Sequence, residues 1–118
     1  MKLLGENSTR IEISRKSPSS DLVEFDFSCE WCSGKFEFFS SNQDFAKLEK
    51  LCASIASGSK KGGWISEEGD LELKLLVQSS GRVRVNVICC PSVKLAYPGK
   101  LEFEAELELA SFVGYDSL

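Results

Sequence analysis

The chain has 118 residues, of which 42% are hydrophobic and 27% charged, and 14 basic against 18 acidic side chains give a formal net charge of −4. This length predicts one domain, residues 1–118, with a single core. The acidic balance argues against a nucleic-acid-binding protein, which usually carries a basic surplus, and favours a basic partner.

The apolar segments are too short for membrane insertion or export. The sequence contains no apolar run of the roughly 18 residues that a membrane span requires. Near the N-terminus only Leu3 and Leu4 are consecutive apolar residues before polar residues begin, which is too short for a signal-peptide core. We therefore expect a cytoplasmic protein without membrane contact.

The sequence has five cysteines and no histidine, which limits the kinds of catalytic and metal site that it can form. An odd number of cysteines, two of them adjacent, indicates free thiols in a reducing compartment. The absence of histidine removes the commonest general base and the commonest neutral metal ligand. We expect no enzyme activity, no cofactor and no bound metal. The cysteines are Cys29, Cys32, Cys52, Cys89 and Cys90.

Alternation of apolar and polar side chains predicts three strands in the first third of the chain, over residues 9–14, 21–28 and 35–39. The second and third strands are expected to form a hairpin around Cys29 to Gly34. This arrangement turns Phe36 and Phe38 towards the core.

The apolar period then changes to three and four residues, which predicts the only helix. Its apolar stripe contains Phe45, Leu48, Leu51, Cys52 and Ile55. Ser41 is the expected N-cap, and Gly58 is well placed to end the helix. Residues 57–63 lack apolar content and are expected to form an exposed, mobile loop that contains Lys60 and Lys61.

The second half of the chain reads as strands again. Leu71, Leu73 and Leu75 alternate with polar residues, a turn follows at residues 78–81, and valines alternate on the returning strand. With the strand at residues 101–109 they predict a three-strand meander. The expected fold class is α+β, with a mainly antiparallel, curved sheet of about six strands packed against one central helix.

The strand at residues 101–109 has one acidic face. Its four outward carboxylates are spaced about 7 Å apart, twice the rise per residue of a strand. They belong to Glu102, Glu104, Glu106 and Glu108.

The preceding strand offers basic partners for two of these acids. A register that pairs Val85 with Phe103 would set two arginines opposite two glutamates. The expected pairs are Arg84 with Glu104 and Arg82 with Glu106. Glu102 and Glu108 then remain unmatched.

A second acidic cluster, Glu67, Glu68, Asp70 and Glu72, lies where a turn becomes a strand. Carboxylates there could bind a divalent cation or act as acid and base, but their spacing matches no calcium loop. A solvated turn is the favoured interpretation.

Cys29 and Cys32 have the two-residue spacing of thiolate metal sites and dithiol redox centres. Cys89 or Cys90 could supply one further zinc ligand, but ordinary free thiols are the favoured interpretation. The loop aromatics Trp31, Trp64 and Tyr97 either cap the core or anchor a partner, and capping is favoured.

The order of elements from about residue 45 to residue 109 resembles the WapI-type immunity proteins of bacterial polymorphic toxin systems. The resemblance is carried by the helix at residues 45–51, Trp64, the segment 69–75, Gly81 with residues 83–85, and residues 101–104. It implies a sheet with one packed helix and a protein that binds and neutralises a toxin inside the producing cell. No catalytic residues transfer.

The leading hypothesis is therefore a non-enzymatic inhibitor of a basic toxin, acting as a monomer or homodimer. Its expected partner-binding residues are Glu67, Glu68, Asp70, Glu102, Glu104, Glu106 and Glu108.

The alternative is a small-ligand-binding domain with an apolar pocket between sheet and helix. The pocket would lie among Phe25, Phe36, Phe38, Trp64 and Phe103. A zinc protein and an enzyme rank below it.

Overall fold

The computed structural model describes residues 1–17, 19–30, 32–90 and 100–112. These residues form an α+β fold with two antiparallel sheets of four strands each. The first sheet contains β1 (Lys2–Leu4), β2 (Arg10–Arg15), β3 (Leu22–Ser28) and β4 (Ser33–Phe39), in that order. After the helix α1 (Asn42–Ala56), the second sheet contains β5 (Lys61–Ile65), β6 (Leu71–Val77), β7 (Arg82–Cys89) and β8 (Leu101–Glu108). A 3₁₀ turn at Leu109–Phe112 follows.

The fold class is as predicted, but the expected single sheet of about six strands is replaced by two sheets. The two additional strands are β1 and β5. With only three residues, β1 is too short to display an alternating pattern. Two of the loop aromatics, Trp31 and Tyr97, lie outside the described residues, as does the rest of the segment 91–99.

Strand β5 corrects the prediction of a mobile loop over residues 57–63. Lys61, Gly62 and Gly63 pair with Leu76, Leu75 and Lys74 of β6. Gly62, one of the glycines that gave this segment the composition of a linker, allows close packing, because a Cβ atom there would overlap the Leu51 side chain of α1. Within the segment 57–63, residues 57–60 lie outside helices and strands.

Both predicted hairpins are confirmed. Phe25 faces Phe36 in the β3–β4 pair, and Leu73 faces Val87 in the β6–β7 pair. The register of β8 differs from the expected one by two residues, because Val85 faces Ala105 rather than Phe103. A shift of two leaves every side chain on its original face, so the hydrophobic pattern alone did not distinguish the two registers.

The core lies between the inner faces of the two sheets and is crossed by a series of aromatic contacts. The rings of Phe27 in the first sheet and Phe103 in the second stack at 4.6 Å between centroids. At the other side, Phe38 and Trp64 approach to 6.5 Å. These contacts join two sheets that share no strand pairing among the described residues.

Helix α1 begins and ends as predicted. The Ser41 side chain accepts a hydrogen bond from the Asp44 amide at 3.2 Å, and Gly58 has a φ of 116°, which glycine tolerates best. Leu48, Cys52 and Ile55 are buried. The helix contacts β5, the first strand of the second sheet, and the 3₁₀ turn that follows its last strand, β8.

A buried carboxylate in the first turn of α1 connects the two halves of the chain. Asp44 is 4% exposed, and its Oδ2 accepts hydrogen bonds from the Ser40 hydroxyl at 2.6 Å and the Glu67 amide at 3.1 Å. The Trp64 indole donates to the Asp44 carbonyl oxygen at 3.0 Å. The end of β4, the start of α1 and the β5–β6 turn are thereby fixed to one another.

Arg15 reinforces the same junction from the first sheet. Its Nη1 donates to the carbonyl oxygens of Ser20 at 2.8 Å and Ser40 at 3.3 Å. Its guanidinium lies 5.3 Å from the centroid of the Phe45 ring, within the range of a cation–π interaction. The arginine therefore connects β2 to the start of the helix.

The two sheets also approach each other at β1 and β8. Gly5, immediately after β1, lies so close to the Glu106 backbone that an added Cβ atom would overlap the Glu106 carbonyl oxygen. A backbone atom cannot move aside as a flexible side chain can. This position therefore requires glycine for close approach.

We expect Asp44→Ala to lower the free energy of unfolding by about 3 kcal/mol, because it leaves the buried Ser40 hydroxyl and Glu67 amide without their acceptor. Chemical denaturation monitored by tryptophan fluorescence measures the change. Gln43→Ala, at the exposed neighbouring position of the same helical turn, is the control and should change stability by less than about 0.5 kcal/mol. Equal effects of the two substitutions would contradict a connecting role for Asp44.

We expect Gly5→Ala to destabilise the protein by about 1–3 kcal/mol through forced separation of β1 and β8. Gly63→Ala is the matched control, because a Cβ atom there would meet only the Leu73 carbonyl oxygen at an ordinary 3.5 Å. Thermal unfolding of both variants tests the difference. A Gly5→Ala protein as stable as Gly63→Ala would show that the approach of β1 to β8 is not tight.

Candidate functional site

The four glutamates of β8 lie on the outer face of the second sheet, at its last strand. Glu102, Glu104 and Glu106 are exposed and Glu108 is half-buried, whereas the alternate residues Phe103, Ala105 and Leu107 are buried. The predicted acidic face of this strand is therefore present. We call these four glutamates the acidic row.

Each member of the acidic row has a defined neighbour on β7. The observed pairs are Glu102 with Ile88, Glu104 with Asn86, Glu106 with Arg84, and Glu108 with Arg82. The predicted pairs, Arg84 with Glu104 and Arg82 with Glu106, are wrong as directly opposite partners because of the two-residue shift. Arg82 nevertheless reaches diagonally, and its Nη1 lies 3.5 Å from Glu106 Oε2.

The shift also changes which acids lack a cation. Glu102, expected to be unmatched, lies 3.6 Å from the Lys100 ammonium and accepts a hydrogen bond from the Asn86 amide at 3.4 Å. Over the described ranges, no lysine or arginine nitrogen lies within the 4.0 Å ion-pair distance of Glu104 or Glu108. These two carboxylates are the members of the row that a cationic partner can approach without displacing an ion pair.

The second acidic cluster is divided by the fold. Glu67 and Glu68 are exposed in the turn between β5 and β6, and Glu67 accepts a hydrogen bond from the Ser41 hydroxyl. Asp70, expected at the partner surface, is 0% exposed, and its carbonyl oxygen accepts from the Cys90 amide at 2.8 Å. A fully buried side chain cannot contact a docked protein, so Asp70 does not belong to the surface.

Glu67 and Glu68 lie at the same end of the second sheet as Glu102. The register places Ile65, Glu72, Ile88 and Glu102 in one row across the four strands. Three strand spacings separate the ends of this row by about 14 Å. The turn and the acidic row therefore lie within the footprint of one ordinary protein partner.

The outer face of the other strands also carries basic and apolar side chains. Lys74 and Arg84 are exposed on the central strands, while Ile65 and Leu76 are 55% and 47% exposed. The negative charge is thus concentrated along β8 and at one end of the sheet. The outward charges are basic on β7, at Arg82 and Arg84, and acidic on β8, at the acidic row.

A polar recess of about 140 Å³ adjoins the acidic row. It forms where the turn after β1 meets β7 and β8, and Asn7 and Ser8 adopt positive φ angles of 55° and 63° in that turn. Arg82 ion-pairs there with Glu6. The lining residues are Glu6, Asn7, Thr9, Arg82, Glu106 and Glu108.

Glu6 is a site residue that the sequence did not indicate. Its partner Arg82 lies 76 positions further along the chain. No local pattern reports a contact of that separation, and the strand that delivers Glu6 has only three residues. Predicting the pair of Glu6 and Arg82 requires knowing that β1 lies beside β8, which the sequence does not show.

The aromatic residues expected to line the apolar pocket of the alternative hypothesis contact one another in the core. Phe36 contacts both Phe25 and Phe38, at 5.4 and 5.8 Å between ring centroids. Phe38 continues to Trp64, and Phe25 continues through Phe27 to Phe103. The rings therefore form a continuous series of contacts across the core. Trp64 caps the core, at 7% exposure.

The cysteines fall into two environments. Cys52 and Cys89 are buried, whereas Cys29, Cys32 and Cys90 are half-buried. Burial raises the pKa of the Cys52 and Cys89 thiols to about 12. Over the described residues, the structure brings together no group of three or more cysteine or carboxylate side chains able to hold a metal ion.

Comparison with protein-family models, with curated proteins and with solved structures finds no match to this chain. Among its described residues, no helix has both the length and the apolar character needed to cross a membrane.

Thiol labelling tests the two cysteine environments. At pH 8 we expect iodoacetamide to modify the half-buried Cys29 and Cys90 of the native protein much faster than the buried Cys52 and Cys89, whose raised pKa values leave little thiolate. Peptide mapping by mass spectrometry identifies the labelled residues, and protein in urea is the control in which all five react. Rapid native labelling of Cys52 would contradict its burial.

Proposed function

We propose that this chain is a non-enzymatic immunity protein that binds and neutralises a basic toxin in the cytoplasm, through the acidic row together with Glu67 and Glu68. The observation that carries the proposal is the pair of outward carboxylates, Glu104 and Glu108, that no cation approaches within the described residues. Unpaired acids along a strand add no stability to the fold, and they do provide charge for an incoming partner.

The neighbouring ion pairs support a role in association. Glu102 and Glu106 pair with lysine or arginine at 3.6 and 3.5 Å, with side chains roughly half exposed. Exposed pairs of this kind contribute little free energy, typically below about 1 kcal/mol, so a stronger cation from a partner can replace them. All four glutamates of the acidic row can therefore form ion pairs with a partner.

The recess beside Glu106 and Glu108 extends this surface in depth. Three of its lining residues are glutamates and one is Arg82, which leaves net negative charge at its mouth. Its volume of about 140 Å³ is about that of a few water molecules and suits the head group of a lysine or arginine. The resemblance to WapI-type immunity proteins, which spans the helix and the second sheet, gives this surface its proposed biological role.

Charge reversal of the unpaired acids tests the proposed surface. We expect the double variant Glu104→Lys with Glu108→Lys to slow association with the partner about tenfold at low salt, because electrostatic steering towards the row is lost. The partner is first recovered by affinity capture from the native cell and identified by mass spectrometry. Stopped-flow mixing of the purified pair then gives the association rate over a range of salt concentrations.

The matched control reverses two exposed acids away from the surface, Glu30 and Glu37, and so changes the net charge by the same amount. Its association rate should stay within about twofold of wild type, because screening weakens distant charges. Equal rates and equal salt dependence for the two double variants would reject the acidic row as the binding surface.

The toxin role has a separate readout. Expression of the captured partner alone should stop growth, and coexpression of this chain should restore it, with the Glu104→Lys and Glu108→Lys variant restoring it less. A captured partner that does not impair growth would reject the immunity role even if the surface proved correct.

A further inference from the structure

We propose that Cys29 and Cys32 form a reversible intramolecular disulfide at the tip of the β3–β4 hairpin, so that this tip is a redox modification site for small disulfides such as oxidised glutathione. The inference is independent of the proposed binding function. It rests on the position of the two thiols in the hairpin and on their separation.

The hairpin register places the two cysteines directly opposite each other. Ser28 faces Ser33 in the last strand pair, and the next pair outward is Cys29 with Cys32, whose backbones are joined by a hydrogen bond from the Cys29 amide to the Cys32 carbonyl oxygen at 2.8 Å. Hydrogen-bonded antiparallel pairs have Cα atoms about 5.5 Å apart, within the range that disulfides span. The backbone therefore already has the geometry that a disulfide needs.

The side chains are oriented towards each other as well. The two Sγ atoms lie 3.2 Å apart, and Cys29 Sγ also lies 3.4 Å from the Cys32 carbonyl oxygen. A disulfide bond of about 2.05 Å requires the sulfurs to move closer by about 1.1 Å, which small side-chain rotations provide. Both residues are half-buried, so a small disulfide can reach them.

The other cysteines do not offer this arrangement. Cys52 and Cys89 are buried, and the Cys52 sulfur packs 3.7 Å from the Met1 sulfur. Cys89 and Cys90 are adjacent on the chain, where successive side chains of a strand point to opposite faces. The hairpin tip is therefore the expected position of the bond.

The reaction is a pair of thiol–disulfide exchanges. The Cys29 thiolate attacks one sulfur of oxidised glutathione, forms a mixed disulfide and releases one glutathione thiol. Cys32 then loses its proton and attacks the Cys29 sulfur, closing the protein disulfide and releasing the second glutathione. The dithiol is oxidised by two electrons, the glutathione disulfide is reduced by two, and the two thiol protons end on the two glutathione molecules.

The contact between the thiols supports the second exchange. The hydrogen bond with Cys29 raises the pKa of the Cys32 thiol. Cys32 is then next to the mixed disulfide and resolves it. Excess reduced glutathione reduces the Cys29–Cys32 disulfide by the same two exchanges in reverse.

Equilibration of the reduced, full-length protein with glutathione buffers tests the site. We expect intact-mass measurement to show loss of two hydrogen atoms, alkylation to find three remaining thiols of the five, and peptide mapping to join Cys29 to Cys32. Excess reduced glutathione should restore all five thiols.

Single variants separate closure from simple accessibility. Cys29→Ser and Cys32→Ser should instead carry one glutathione, and should need about tenfold more oxidised glutathione for half conversion, because they lack the high effective concentration of the second thiol. Cys90→Ser is the control and should form the Cys29–Cys32 bond at the same oxidised-glutathione concentration as wild type, with two thiols remaining of its four. Circular dichroism of each variant checks that it is folded.

Stable glutathione adducts on wild-type Cys29 or Cys32, or a bond mapped to Cys90, would overturn the proposal. The proposal would also be overturned if wild-type Cys29 and Cys32 both stayed reduced in a buffer that oxidises the single variants. The wild-type peptide map alone decides the question if a variant does not fold.

Discussion

The hydrogen-bonded Asp44 carboxylate, buried at the start of α1, is the constraint on which the arrangement of the two sheets depends. Each sheet is a meander of consecutive strands, and only the segment from Ser40 to Lys60 connects them along the chain. Asp44 binds the Ser40 hydroxyl on one side and the Glu67 amide on the other. Because a buried polar group without hydrogen-bond partners costs free energy, the two donors and the carboxylate stabilise one another, and this couples the geometry of the two halves.

The same junction positions one part of the candidate surface. Glu67 follows Trp64 by three residues, its amide is held by Asp44, and its side chain by the N-cap residue Ser41. The acidic row is fixed differently, through Phe103 against Phe27 on the inner side and through Gly5 against the Glu106 backbone. Separate contacts thus hold the acidic turn at one end of the second sheet and the acidic row along β8, which favours a preformed surface over one that orders on binding.

Local pattern was enough to predict much of the fold. Periodicity located α1 from Leu48, Cys52 and Ile55, and alternation located the hairpins that contain Phe25 and Leu73. It failed for β5, because Gly62 and Gly63 have the composition of a linker and their strand state comes from pairing with β6. It also left the register of β8 open to a shift of two residues, which preserves the buried face and changes every cross-strand neighbour.

The candidate site was predictable to the same extent. The alternation of side chains along β8 is enough to predict that Glu104 points outward. Whether a cation lies beside it depends on the register between β7 and β8. Burial of Asp70 runs against the usual exposure of carboxylates, and nothing in its local sequence distinguishes it from Glu68. The pairing of Glu6 with Arg82 depends on the contact between the first and last strands.

The distribution of charge explains why the acidic row is better suited to recognition than to stability. A strand whose four outward residues are all acidic suffers repulsion along its length, since successive carboxylates are about 7 Å apart and within the Debye length of physiological salt. Arg82 and Lys100 relieve this at Glu106 and Glu102, and Glu104 and Glu108 remain uncompensated. Under the proposed function, a cationic partner that neutralises these two carboxylates would remove the repulsion as well as form new contacts, so the acidic row would lower the free energy of the complex and not that of the free protein.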